Sequence, residues 1–346
     1  MGSPFHHYVI ADEFIIPPDA EIYYSEKVLR LDCYQPNDPH RVVAPDRPTR
    51  AGAGLPEDAF VYCCLNGTQK IGRATFDRWL EILRRAPGSV LWLLDSDEAT
   101  GQRLTAYAAA AGIDPQRLVF APKLANAYHL ARYPLADLFL DTVPYGAHTT
   151  GSDALWMGVP VLTLAGRGFA SRVCGSLSRS AGLPDMVCAS PQEYVDRAVA
   201  YAADPGAIAA LKARLAAARG ACALFDLTRL ARGLEGLYRD MCVAHQQGRT
   251  PRPDLRNLET YLEAGLDHDP DASEMLAVED YRGLWRQRLA RLHRHRPIPA
   301  DSRLWTPDDI AWFDPPAPHD QGAVGGVARV RAQSSARKRA TGAATA

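Results

Sequence analysis

Residues 138–163 read LFLDTVPYGAHTTGSDALWMGVPVLT. The stretch opens on a short apolar run, Leu138-Phe139-Leu140, that ends at Asp141. A polar loop follows, with His148, Thr149, Thr150 and Gly151. Asp153, Leu155 and Trp156 then fit a short amphipathic helix closed by Gly158, and Val159-Pro160-Val161-Leu162 begins another apolar run. The pattern is strand, loop, helix, strand. In an open parallel sheet, a loop at the carboxyl edge that feeds a helix N-terminus is a ready site for a phosphorylated ligand, because free backbone N–H groups and the helix dipole converge there. This stretch is therefore expected to hold the diphosphate of a nucleotide-sugar.

The neighbouring segments extend the same alternation. Upstream, FVYCCL (60–65), SVLWLLD (89–95) and RLVFAP (117–122) read as buried strands, separated by helices at 74–85 and 100–111 and followed by a short helix at 126–133. Downstream come a helix at 169–182, a short strand at Met186-Val187-Cys188, and helices at about 191–203, 205–219 and 226–246. Strand and helix alternate with short turns, which predicts a doubly wound, Rossmann-like parallel α/β sheet with helices on both faces.

The flanks read differently. Residues 1–55 carry two apolar runs, Tyr8–Ala11 and Phe14-Ile15-Ile16, expected as short strands, then a short helix around YYSEK and a Pro-rich connector. So short a segment cannot bury a core of its own. The ligand-binding lobe is expected at 56–247 and a helical extension at 248–312, with Leu258, Tyr261, Leu262, Trp285 and Leu289 as docking contacts. Residues 313–346 are small, basic and unpatterned, which predicts a disordered tail that includes Arg337-Lys338-Arg339.

Composition narrows the classes. Of 346 residues 47% are apolar, and 39 basic against 40 acidic side chains give a net charge of −1, so nothing in the balance suggests a nucleic-acid partner. No apolar run reaches the roughly 18–20 residues of a membrane span. The N-terminus has neither a signal peptide pattern nor the residue a myristoylation signal needs at its sixth position. Seven scattered cysteines with no CxxC read as reduced thiols, and the whole as a cytoplasmic protein.

Three loops follow strands and so open on one edge of the sheet. In GAHTTGSD, Thr149 and Thr150 offer hydroxyls and N–H groups, Gly151 lets the backbone come close, His148 stands just ahead of the helix and Asp153 can reach ribose hydroxyls. In Asn66-Gly67-Thr68-Gln69-Lys70, the Lys70 ammonium can neutralise a diphosphate. His129 and Arg132, three apart on one helix face, can hold a base. Plain structural roles fit the same residues: an N-cap threonine with a first-turn acid, a surface lysine, an ordinary helical histidine. Neither GxxxxGK[ST], GxGxxG nor GxSxG occurs, and no HExxH or Cys/His cluster suggests a metal. Asp95-Ser96-Asp97 is a DxD after a strand and reads as exposed loop.

GAHTTGSDALWMGVPVLT with FASRVCGSL, FVYCCLNGTQKI with PGSVLWLLD, LADLFLDT, YYSEKVLRL and LFDLTRLARGLEGLY together resemble the O-linked N-acetylglucosamine transferases, the SPINDLY-like glycosyltransferases, in order and spacing from about residue 8 to 245. The resemblance implies the C-terminal lobe of a GT-B fold that binds UDP-N-acetylglucosamine and transfers the sugar to Ser or Thr of a protein acceptor by an inverting, metal-independent route. By position, Lys70, Thr149 and Thr150 would hold the diphosphate, with His148 near phosphate and sugar. Asp153 would take the ribose, His129 would stack on uracil and Arg132 would support the base. Asn66, Gln69, Leu124, Asn126 and Gly151 are supporting candidates. Two positions depart from the family: Gly67 replaces a polar residue, and Asn126 stands where a lysine is expected. The resemblance begins within the tail of the N-terminal lobe, which in the family carries the proposed general base, so no catalytic residue is assigned and His6 and His7 do not inherit that role. A partner supplying that lobe is one expectation. A pseudo-enzyme or scaffold that binds UDP-sugar without transfer, and a GT-B epimerase, are the alternatives.

Overall fold

The computed structural model describes residues 2–268 and 274–313. Of the tail expected at 313–346, Phe313 is the last residue of a helix, and the rest, with Arg337-Lys338-Arg339, lies outside the described residues. Two strands come first, β1 (Tyr8–Ala11) and β2 (Lys27–Arg30), paired in parallel. The main body then runs β3 (Phe60–Cys64), α1 (Arg73–Arg85), β4 (Ser89–Leu94), α2 (Glu98–Ala110), β5 (Leu118–Ala121), α3 (Asn126–Arg132), β6 (Leu138–Leu140), α4 (Thr149–Trp156), β7 (Val161–Leu164), α5 (Phe169–Ser180), β8 (Val187–Cys188), α6 (Pro191–Ala203), α7 (Pro205–Ala218) and α8 (Leu227–Gln246). Three further helices follow: α9 (Leu258–Leu266), α10 (Tyr281–His295) and α11 (Pro307–Phe313).

The main sheet has six strands in the order β5-β4-β3-β6-β7-β8, every neighbouring pair parallel. This is the expected doubly wound parallel α/β sheet. Its strand order reverses between β3 and β6, and the crevice outside the carboxyl ends at such a switch point is where these sheets take ligands. Helices cover both faces, which explains why β3 and β6 are apolar at every position: Val61, Tyr62, Cys63 and Leu138 are wholly buried. The apolar stripe of α1 sends Phe76, Trp79, Leu80 and Leu83 into the same core. Truncating a side chain such as Trp79 there would cost about 3–5 kcal/mol. Trp79 Nε1 also donates to the Tyr194 hydroxyl at 3.1 Å, which donates to the Asp141 carbonyl at 3.1 Å, so α1 and α6 together fix the end of β6. Gly158, at φ +83°, ends α4 as the sequence suggests.

The first 55 residues depart from expectation in two places. Phe14-Ile15-Ile16 is a turn, not a strand. Pro17-Pro18 removes the N–H groups a ladder would need, and the Asp12 carboxylate instead accepts from Ile15 N at 2.8 Å. Ile15 and Ile16 are still buried, so their hydrophobicity serves packing. The helix expected around YYSEK is displaced: a 3₁₀ turn occupies Pro18–Tyr23, and Lys27–Arg30 pairs with β1. Ala11, Ile15, Ile16, Val28 and Leu55 join the core of the main sheet. In the extension, Tyr261, Leu289 and Trp305 form a second cluster that Trp285, Ile22 and Tyr23 pack against, while Leu262 faces solvent at 64% exposure and docks nothing.

Candidate functional site

The loop after β3 and the loop after β6 meet at the switch point. Asn66, almost fully buried, donates through Nδ2 to Thr142 Oγ1 at 2.9 Å and accepts from the Thr150 hydroxyl. Lys70 Nζ donates to the Gly146 carbonyl at 2.9 Å. The β6 loop is itself shaped by a buried acid. Asp141 accepts from Thr142 N at 2.8 Å, Ala147 N at 2.6 Å and Thr163 Oγ1 at 2.7 Å. Burial pushes its carboxyl above the usual range, against these bonds. Gly146 is tightly placed, since a Cβ would lie 3.1 Å from Asp141 Oδ2 and 3.2 Å from the Ala170 carbonyl and would make one of them give way.

His148 is the N-cap of α4 and makes no side-chain cap bond, so neither Thr149 nor Thr150 serves as a mere cap. The first intrahelical bond runs from Ser152 N to His148 O at 3.0 Å. The amides of Thr149, Thr150 and Gly151 precede it and form the open, positive end of the helix. Gly151 serves packing: a Cβ there would sit 3.2 Å from both Ala147 Cβ and Cys174 Sγ, so its small size lets α4 lie on α5.

Tyr145 completes this end of the site. Its ring stacks on His148 at 5.0 Å and 19°, and Lys70 Nζ lies 4.2 Å above its centroid. Burial pulls the Lys70 ammonium below the ordinary lysine range, opposed by Asp141. His148 is likewise lowered, first by burial and then by the Lys70 charge, and its buried Nε2 has no hydrogen-bond partner. A half-buried cation, an open helix end and an unpartnered imidazole nitrogen thus converge where an anion would gain from all three.

His129 and Arg132 do meet, and a relay ties them to α4. Arg132 donates to Pro122 O at 2.6 Å and to His129 Nδ1 at 2.6 Å. That fixes the tautomer with the proton on Nε2, which lies 3.2 Å from the Tyr133 hydroxyl; Tyr133 in turn donates to Thr150 O at 3.3 Å. Burial, then the Arg132 charge, pushes the His129 pKa down to about 4. The ring is neutral near pH 7.

Asp153 is buried, and its carboxylate is held by Arg41, which also donates to Ser152 Oγ at 3.3 Å. Gln69, Leu124 and Asn126 are exposed at the same edge of the sheet. Sequence reasoning missed Arg41, Tyr145 and the stapling role of Asp141. Tyr145 lies inside the decisive loop and offered a signal, as an aromatic between a strand and a helix N-terminus. Arg41 offered none. A cavity of about 570 Å³ opens at the opposite, amino-terminal edge, beside Arg50, Asp137 and Lys212. Its charges are already matched, with Arg50 2.9 Å and Lys212 3.5 Å from Asp137, and it is the wrong edge for a ligand of this fold.

Residues 37–234 match the model of Glycosyl transferase family 41. The chain belongs to that family. It is 38% identical over 275 residues to the probable UDP-N-acetylglucosamine–peptide N-acetylglucosaminyltransferase SEC of Arabidopsis thaliana, across 78% of this chain and 28% of the relative. It is 36% identical over 212 residues to the UDP-N-acetylglucosamine–peptide N-acetylglucosaminyltransferase of Caenorhabditis elegans, across 61% of this chain and 18% of that one. A solved mutant of Thermobaculum terrenum O-GlcNAc transferase superposes with a TM-score of 0.60 at 32% identity, over 68% of this chain and 44% of that one. The family 41 chain therefore spans under a third of the length of these two curated relatives. Among the described residues no group of three His, Cys, Asp or Glu side chains is placed to hold a metal, and no helix is long and apolar enough to cross a membrane. All seven cysteines are unpaired.

Proposed function

We propose that this family 41 chain carries the donor-binding lobe of a protein O-GlcNAc transferase, residues 56–247, which holds UDP-N-acetylglucosamine for inverting transfer to a Ser or Thr hydroxyl. Residues 1–55 pack on that lobe as a connector and 248–312 as a helical extension. The observation that carries the reading is Lys70 Nζ bonded across the switch point to Gly146, beside the open N-terminus of α4. When the glycosidic bond breaks, charge develops on the leaving diphosphate. Fixed donors aimed at that charge, the Lys70 ammonium and the amides of Thr149 and Thr150, stabilise it without reorganising. The neutral His148 supplies a further ring nitrogen beside phosphate and sugar. His129 offers its face to uracil, held by Arg132, and Asp153 takes ribose hydroxyls. Asn66 braces the two loops, while Gln69, Leu124, Asn126 and Gly151 line or support the edge. No metal is needed in this scheme, and the setting is cytoplasmic.

Activation of the acceptor needs a base within hydrogen-bond reach. In this proposal a facing lobe supplies it, from the same polypeptide or a partner. A second reading, a UDP-sugar-binding module without transfer, is supported by Gly67 and Asn126, which stand where the resemblance expects a polar residue and a lysine. Two measurements test these readings. UDP in the presence of EDTA should raise the melting temperature; the absence of a shift removes both. Transfer to peptide by the purified chain would reject the binding-module reading.

A further inference from the structure

The Pro-rich connector is pinned across the carboxyl edge of the sheet. Asn37 N donates to Leu224 O at 2.7 Å, Asn37 Nδ2 bonds Ser152 Oγ, and Ala44 N donates to Ala127 O at 3.0 Å. Between these anchors, the Arg41 side chain reaches α4 and is 9% exposed, against 7% for Asp153. Its guanidinium takes Asp153 Oδ1 and Ser152 Oγ, and among the described residues no hydrogen bond is recorded to Oδ2. We propose that Arg41 is a positioning residue of the donor site: it keeps the Asp153 carboxylate charged and turned so that its second oxygen meets the ribose hydroxyls.

The inference rests on the donor-site reading above. A carboxylate in this position is desolvated, and burial raises the Asp153 pKa while Arg41 opposes the rise. A protonated Asp153 would accept poorly from a ribose hydroxyl. Among the described residues Tyr133 also faces it, and burial keeps that phenol neutral, well above its ordinary range. His129, bonded to Tyr133, changes charge only near pH 4.

Isothermal titration with a UDP-sugar in EDTA, from pH 6.5 to 8.5, compares wild type with Arg41→Lys and Arg41→Met. The ligand's diphosphate diester does not titrate in that range. Wild-type affinity should stay nearly flat, and Arg41→Lys should remain within about threefold of it. Arg41→Met should bind about tenfold more weakly at pH 6.5 and recover as pH rises and Asp153 loses its proton. Adding Asp153→Asn should abolish that pH dependence. Equal weakening at every pH would overturn the proposal in favour of a purely structural strap. Affinity equal to or tighter than wild type would overturn it in favour of a plug that the ligand displaces. A wild-type chain that binds no UDP-sugar fails earlier, and takes the donor-site reading with it.

Discussion

Lys70 Nζ lies 2.9 Å from the Gly146 carbonyl oxygen, so one cation joins the first loop of the sheet to the loop that starts α4. The ammonium is half-buried and pays for burial with a lowered pKa. It donates to the Gly146 carbonyl and lies over the Tyr145 ring, and the Asp141 charge acts on it without an ion pair between them among the described residues. A diphosphate would supply the missing negative partner.

Lys70→Ala should therefore weaken UDP binding by about 10- to 100-fold, the equivalent of a charge-assisted hydrogen bond of about 1.5–3 kcal/mol. Titration of the variant with UDP measures it. Unchanged affinity would mean that the ammonium serves only to tie the loops.

Tyr145→Ala removes the ring beneath Lys70 and beside His148. The expected loss is about two- to fivefold in UDP affinity, since an exposed cation–π contact is worth about 0.5–1 kcal/mol. A ring at 47% exposure contributes little to the core, so the melting temperature of the free protein should barely move.

Asp141→Ala strands three donors: Thr142 N, Ala147 N and Thr163 Oγ1. Urea unfolding should show a loss of about 3–5 kcal/mol. A loss within about 0.5 kcal/mol, as for an ordinary surface change, would show that the loop after β6 does not depend on this acid.

His129 sets a pH dependence of stability. Its folded pKa, about 4, lies below the ordinary 6.5. The unfolded chain then binds the extra proton first, so this contribution is fully present above pH 6.5 and is lost as pH falls toward 4. The ring is only partly enclosed, so the discounted effect is about 1 kcal/mol. Denaturant midpoints at pH 5 and pH 7.5 should draw together in His129→Gln; an unchanged gap would assign it to other groups.

The order of strands and helices was legible because burial on both faces leaves uninterrupted apolar runs such as FVYCCL, while α1 keeps its apolar residues on one stripe. The same reasoning failed at Phe14-Ile15-Ile16, where apolar residues are buried in a turn and Pro17-Pro18 forbids the ladder. Leu262 fits a helical spacing and yet faces outward. Lys70, His129, Arg132 and His148 could be placed at the carboxyl edge because each follows a strand. Arg41 could not. It meets Asp153 across 112 positions of chain, from a connector with no periodicity, and only the folded path of that connector brings the pair together.

The central claim is that UDP sits where α4 begins. A crystal structure of the chain with UDP tests it most directly. The account predicts the diphosphate between Lys70 Nζ and the amides of Thr149 and Thr150, with uracil against His129. Diphosphate bound elsewhere, such as in the amino-terminal cavity beside Arg50 and Lys212, or no nucleotide at saturating UDP, would contradict it.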